Sequence, residues 1–483
     1  MDINVEPRPT LQLEARLSPQ CSIPYQEVRQ RIEYCLKSVN ARLVCFQDYT
    51  QTFLQSLGSV SDKSHLGRPS LDGAGCALEN LTRHLEHLWV AECSGGGRRV
   101  DNTTATTTNS NQPYTAQEVD LSIHIYQLQS ESPIEEYDRV DNGYSDESIL
   151  MAHHWTLPSQ DLEGVWDTLV FDDQVDLRLL EYVYTAMLFS DRMVNPNLIT
   201  WNRVLLLYGP PGTGKTTLCR ALAHKLSIRM AGKYRYTKML EINSHSLFSK
   251  WFSESGKMVQ KMFDNIWELV NDPYTFVIVL IDEVESLASA RTAALSGNEP
   301  TDSIRVVNAL LTQIDKLKKQ RNVLIMTTSN MKQAIDTAFL DRADMRVFIG
   351  PPSQRAIYSM LRSSLHELVR AGIVYPPIEL PEVEEVLEAI LNRHSPSSFV
   401  LSSNQITAQS NNHAAAADGN SKALSILLYE TAGACRAGHL SGRAVRRLPF
   451  VAHASYVQSP TATMKIFLSA LVNAVRDDVV SRE

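Results

Sequence analysis

The sequence predicts an α/β fold: a parallel sheet covered by helices, a helical region after it and a small mixed α/β region before it. Three observations predict this. Short, fully apolar runs recur at Val204–Tyr208, Phe276–Ile281 and Val323–Thr327, the pattern of strands buried on both faces of a parallel sheet. Helical stretches alternate with these runs, and a glycine-rich turn follows the first of them directly. From Ser353 onward, apolar residues recur at helical spacing, beginning with Ile357, Leu361, Leu365 and Leu368.

The 483 residues are enough for roughly three domains of ~150 residues each. The composition divides them at 1–150, 151–352 and 353–483. In the first block, Tyr25 to Leu57 is partly helical in pattern, and Glu118 to Gln129 alternates as a half-buried strand with Val119, Leu121, Ile123 and Ile125 on one face. This block carries no recognisable chemistry of its own. In the second, Asp176 to Phe189 and Thr216 to Leu226 read as helices. In the third, Pro351-Pro352 stops the preceding segment and Ser353 caps the next helix. Residues 94–113 and 395–421 are rich in Gly, Thr, Ser and Asn and read as a mobile loop and a flexible insert.

Charge and cysteine usage exclude several classes. The formal net charge of −8 argues against a protein that binds nucleic acid directly. The longest apolar run has six residues, against the ~20 that a membrane helix needs. The acidic, proline-bearing start is not expected to be a secretory signal. Seven cysteines without C-x-x-C spacing fit neither a disulfide scaffold nor a zinc site, and point to a reducing compartment.

The chemistry is concentrated in the second block. Gly209-Pro210-Pro211-Gly212-Thr213-Gly214-Lys215-Thr216 fits G-x-x-x-x-G-K-[ST] and lies between a buried strand and a helix, where a phosphate-binding loop must lie. The glycines let backbone N–H groups approach phosphate oxygens at a helix N-terminus. Lys215 would reach the β- and γ-phosphates of ATP and the Thr216 hydroxyl would bind Mg²⁺, with Thr217 completing the run. The strand Val277–Ile281 ends in Asp282-Glu283. Two solvated acids at a strand end are common on their own, but after a P-loop they point to Asp282 as the Mg²⁺ carboxylate and Glu283 as the base that polarises the attacking water. Glu285 reads as a surface or partner contact. Asn330, ending the next apolar strand, can orient that water without adding charge, although Asn also simply favours turns. Arg342, in Asp341-Arg342-Ala343-Asp344, can act on the γ-phosphate of a neighbouring subunit; the bland alternative is a surface Arg–Asp pair.

Together these residues resemble the AAA+ ATPases, whose helical C-terminal lid supplies a second sensor arginine; Ser441-Gly442-Arg443 is similar to that position. Many members carry a further arginine soon after the finger; here Met345 follows Asp344 and Arg346 comes next, so Arg342 alone is assigned. A narrower resemblance is to the pachytene-checkpoint family, which includes the thyroid-hormone-receptor interactor. It is carried by Ser244–Lys257, Asn197–Arg203, Ile304–Ala309, His154–Pro158 and Leu440–Arg443. It is dense over 154–352 and 424–467 and weak over the first ~115 residues.

The resemblance implies a homo-hexameric ring that hydrolyses ATP and converts closed HORMA-domain proteins to open or unbound forms. The duties implied are meiotic chromosome-axis and recombination control and the spindle checkpoint, in the nucleus and on chromosomes, with the cytoplasm also open. A HORMA adaptor would present the client to the N-terminal domain. The resemblance also implies a substrate-gripping pore loop at Lys250, Trp251 and Phe252, although aromatics are more often core. A DNA-directed ATPase and a non-hydrolysing, ATP-dependent scaffold stand as alternatives.

Overall fold

The computed structural model describes residues 8–55, 83–94, 113–139, 148–244, 255–286, 302–330, 335, 337–393 and 413–482. The amino-terminal elements are β1 (Thr10–Leu17), α1 (Tyr25–Val39), β2 (Arg42–Leu43), β3 (Gln47–Asp48), β4 (Leu85–Ser94), β5 (Tyr114–Thr115), β6 (Asp120–Gln127), β7 (Ile134–Arg139) and β8 (Ser148–Leu157). Next come α2 (Val175–Asp191), β9 (Val204–Tyr208), α3 (Lys215–Arg229), β10 (Tyr236–Asn243), α4 (Ser255–Val270), β11 (Thr275–Asp282), α5 (Asp302–Leu317), β12 (Val323–Ser329) and β13 (Met345–Phe348). The chain closes with α6 (Gln354–Arg370), β14 (Val374–Tyr375), α7 (Val383–Arg393), α8 (His413–Ala437), α9 (Gly442–Tyr456), β15 (Ala462–Thr463) and α10 (Met464–Val480). Among the described residues, no helix is long and apolar enough to cross a membrane.

The chain forms two compact units. One comprises Met1–Glu163, Ala223–Ile242 and Gln260–Val279; the other comprises Gly164–Leu222, Asn243–Val259 and Leu280–Glu483. In the second unit β13, β9 and β12 are neighbours in that order, and in the first β10, β8 and β7 are. β9 pairs in parallel with both β12 and β13, as the apolar runs predict. In the first unit, by contrast, β8 pairs antiparallel with β10 and β7. Nothing local marked these pairings, because β8 carries His153-His154-Trp155 in place of a continuous apolar run.

In the first unit, β1 pairs antiparallel with β4 and parallel with β6, and β3 adds to the outer side of β4. Strand periodicity puts Leu11, Leu13, Ala15 and Leu17 on one face, where they pack into one core with Val28, Ile32, Cys35 and Leu36 of α1. The predicted strand at 118–129 is β6, with Ile123 and Ile125 in that core. Within the stretch from Tyr25 to Leu57, read as partly helical, α1 ends at Val39 and the chain is helical again over residues 50–55; residues 56 and 57 lie outside the described residues. Asn40 turns left-handed (φ 50°), and its N–H bonds back to the Leu36 and Lys37 carbonyls.

The other face of β1 carries Glu14, and it is charged. Glu14 Oε2 accepts from Lys225 Nζ at 2.7 Å and Oε1 from Arg229 Nε at 2.8 Å; Arg229 also donates to Glu92 at 2.8 Å. The Arg229 side chain is 0% exposed and that of Glu14 6%. Burial alone would raise the Glu14 carboxyl, yet Lys225 and Arg229 hold it down at about 2, against 4.5 ordinarily. Burial, reinforced by Arg229, pushes the neighbouring His124 down to about 3.

In the second unit, the Ser353 hydroxyl caps α6 by accepting from Ala356 N at 3.1 Å. Ile357, Leu361 and Leu365 of α6 share a core with Leu428, Val445, Phe467 and Leu471 from α8, α9 and α10. α8 begins at His413, inside the segment read as a flexible insert. Its alanine run, Ala414–Ala417, favours the helix. Residues 95–112 and 395–412 lie outside the described residues.

Glu14→Gln removes the charge that balances Lys225 and Arg229. It is expected to cost about 3 kcal/mol, the lower end of what breaking a buried ion pair costs, read from the denaturant midpoint. The pH dependence has a definite sign. His124 stays neutral in the fold to about 3 while its unfolded form protonates below about 6.5, and Glu14 stays ionised to about 2 while its unfolded form protonates below about 4.5. Stability therefore falls as pH drops from 6.5, and falls more steeply below 4.5, with the Glu14 share absent from the Gln variant.

Candidate nucleotide site

The site is built where β9, β11 and β12 end. Val204–Leu207 of β9 and Phe276–Ile281 of β11 are at most 1% exposed, so the polar residues that follow them emerge at fixed places. After β9 the chain turns at Gly209, whose N–H bonds the Ser329 carbonyl at 3.1 Å. A Cβ at Gly209 would lie 2.0 Å from Ile349 O, so only glycine allows this approach. Gly212 has φ +76°, and a Cβ there would meet Ser441 Oγ at 2.9 Å.

Lys215 opens α3 and folds back over the loop, with Nζ donating to Gly209 O and Pro210 O, each at 2.9 Å. It is 5% exposed, and burial lowers its pKa against the opposing pull of Glu285, Asp282 and Glu283. Thr216 Oγ1 donates to Asp282 Oδ1 at 2.9 Å, and the Thr328 hydroxyl bonds the same oxygen. A threonine hydroxyl beside a carboxylate is a set of hard oxygen donors of the kind Mg²⁺ takes. Pro211, Thr213 and Gly214 complete the loop; Thr213 Oγ1 bonds Pro210 O at 3.0 Å.

Glu283 adopts a left-handed conformation (φ 58°), uncommon for a residue with a side chain. Its N–H donates to Thr328 Oγ1 at 3.1 Å. Ser244 Oγ sits 2.7 Å from Asp282 O and 2.6 Å from Glu283 O, fixing the same turn. Asn330 Nδ2 lies 3.4 Å from Glu283 Oε1 and donates to Glu285 Oε1 at 2.8 Å. Glu285, read as a surface or partner contact, is half-buried and shares the Asn330 amide with Glu283. Sequence reasoning missed Thr328 and Ser244; the Thr327-Thr328-Ser329 strand end was the available signal for the first.

A cavity of about 520 Å³ opens beside the loop. Gly212, Thr213, Gly214 and Thr217 line its phosphate end; Leu169, Val170, Phe171, Ile349 and Met360 give it an apolar wall of the kind a base requires. The wall segment 168–173 was not singled out in the sequence, since it precedes α2 without a periodic pattern. Arg443 also lines the cavity, and its N–H donates to Gly212 O at 3.1 Å. Ser441 Oγ caps α9, accepting from Ala444 N at 3.3 Å, so the helix start is set against the loop. Arg342 is not part of this lining. Its Nε and Nη2 donate to the two Asp315 oxygens at 3.0 and 2.7 Å. Lys250, Trp251 and Phe252 lie outside the described residues.

Gly212→Ala is expected to weaken binding of a fluorescent ATP analogue about tenfold, from the positive φ and the Ser441 collision together. Binding within twofold of wild type would contradict the fit described here.

The comparisons agree with this geometry. Residues 205–351 match the family model "ATPase family associated with various cellular activities (AAA)", and residues 353–479 match "TRIP13-like, AAA+ ATPase lid C-terminal domain". The pachytene checkpoint protein 2 homolog of Homo sapiens is 49% identical over 364 residues, which is 75% of this chain and 77% of the relative. The Danio rerio homolog is 44% identical over 397 residues, 82% of each chain. The solved structure of C. elegans PCH-2 superposes with a TM-score of 0.65 at 32% identity, covering 98% of this chain and 99% of that one. The chain therefore belongs to the pachytene checkpoint protein 2 family and is an AAA+ ATPase.

Proposed function

We propose that this ATPase works as a homo-hexameric ring that opens closed HORMA-domain proteins, with each hydrolytic site completed by the neighbouring chain. The observation that carries the shared site is the separation of the two arginines: Arg443 lines the cavity of its own chain, while Arg342 is bonded to Asp315 outside that lining. Family membership supports the HORMA client, an adaptor at the N-terminal domain, and work on chromosomes in the nucleus. The net charge of −8 supports a protein client over a nucleic acid.

In this reading Lys215 holds the β- and γ-phosphates of ATP, and Gly209–Thr217 surround them with backbone donors. Thr216 and Asp282 would hold Mg²⁺, which when bound neutralises phosphate charge. Glu283 takes the proton of the attacking water and Asn330 orients that water. Arg342 of the adjoining subunit stabilises charge on the transferring phosphoryl group. Loss of the γ-phosphate loosens both Arg342 and Arg443, and the two states of the interface differ by those contacts. Lys250, Trp251 and Phe252 convert that change into a pull on the client. A folded domain is stable by only ~5–15 kcal/mol, so a few pulls can unseat one segment.

Glu283→Gln is expected to keep ATP binding and lose hydrolysis by a factor of about 10² or more, read by phosphate release. With a purified closed HORMA protein, ATP and Mg²⁺, Trp251→Ala should slow partner release at least tenfold more than it slows ATP turnover. Equal effects on both would contradict the grip. Phosphate release by the wild type also excludes a passive scaffold, and DNA-stimulated, salt-sensitive turnover would favour a DNA-directed machine instead.

A further inference from the structure

We infer that Asp315 is a positioning residue for Arg342: it holds the guanidinium in the orientation in which the arginine serves the neighbouring chain's ATP. The inference rests on the trans reading above. Asp315 stands in the last turn of α5, where a carboxylate opposes the helix dipole. An acid gains from that place only by pairing with cations, and two are present. Lys318 Nζ lies 2.9 Å from Oδ1, and Arg342 presents Nε to Oδ1 at 3.0 Å and Nη2 to Oδ2 at 2.7 Å. The second contact is a two-point grip, which fixes the plane of the guanidinium as well as its position.

The backbone under Arg342 is fixed too. The N–H groups of Arg342 and Ala343 bond the Phe339 and Leu340 carbonyls at 3.1 and 3.2 Å. Arg346, the arginine one place late for a second finger, instead bonds the Leu340 and Ala343 carbonyls. Asp344 N–H bonds Val204 O at 3.1 Å, at the start of β9. Its carboxylate accepts from Tyr182 Oη at 2.8 Å, Asn202 Nδ2 at 2.8 Å and Arg203 N at 2.9 Å. Asp344 thus ties the arginine's loop to the strand that carries the phosphate loop, and Asp315 sets the last torsions. Without the Asp315 charge, Lys318 and Arg342 would repel one another at the same spot.

Full-length Asp315→Asn tests this, with thermal melting and particle mass checking fold and assembly. Turnover at saturating ATP is expected to fall about 10–100-fold, the range for a misplaced reacting group. The dissociation constant of a fluorescent ATP analogue should change less than twofold, and Asp315→Glu should recover most of the turnover. Mixed with Lys215→Ala chains, which carry an intact Arg342, the Asp315→Asn chains should regain turnover per active site, as Arg342→Ala chains do in the same mixture. Wild-type turnover in Asp315→Asn, or a loss that Lys215→Ala chains cannot complement while they do complement Arg342→Ala, would overturn the inference alone. Undiminished turnover in Arg342→Ala would overturn the trans reading and the inference with it.

Discussion

The Asp282 carboxylate is where the site is held together. It ends the fully buried β11 and receives hydroxyls from Thr216 at the start of α3 and Thr328 at the end of β12. Those bonds make the phosphate loop, the acidic strand end and the Asn330 strand end one construction. The constraint behind it is burial: strands buried along their length cannot slide without exposing apolar surface or reversing faces. Whatever follows the strands is therefore placed accurately, which a reaction run by positioned charges requires.

The second anchor is the start of α9 on Gly212. Arg443 bonds the loop through its backbone N–H and is among the residues that line the cavity, so the helical C-terminal part is attached directly to the phosphate loop. The Ser244 hydroxyl reaches the backbone of Asp282 and Glu283 from the first residue of the family signature that contains Lys250, Trp251 and Phe252. A change at the acidic turn is thus one hydrogen bond from the root of that segment.

Much of this was legible from local pattern. The strands Val204–Tyr208, Thr275–Asp282 and Val323–Ser329 fall within two residues of the apolar runs, and Ser353 caps the helix its spacing announced. The glycine motif needed only its flanking strand and helix to be read. What escaped were pairings between distant positions. Glu14 meets Lys225 across 211 residues and Arg342 meets Asp315 across 27, and neither acid stands in a pattern that names its partner. The antiparallel β7 and β8 escaped for the same reason, since their partners and not their composition make them part of the sheet. Asn202 and Arg203 were read only as family signature; their bonds to Asp344 give the physical reason they stand there.

The central claim is that the hydrolytic centre is shared between adjoining chains. The most direct measurement is ATP turnover per chain across a dilution series, with particle mass recorded at each concentration. The account predicts that turnover collapses as rings fall apart into single chains. Constant turnover per chain in a population of single chains would contradict it.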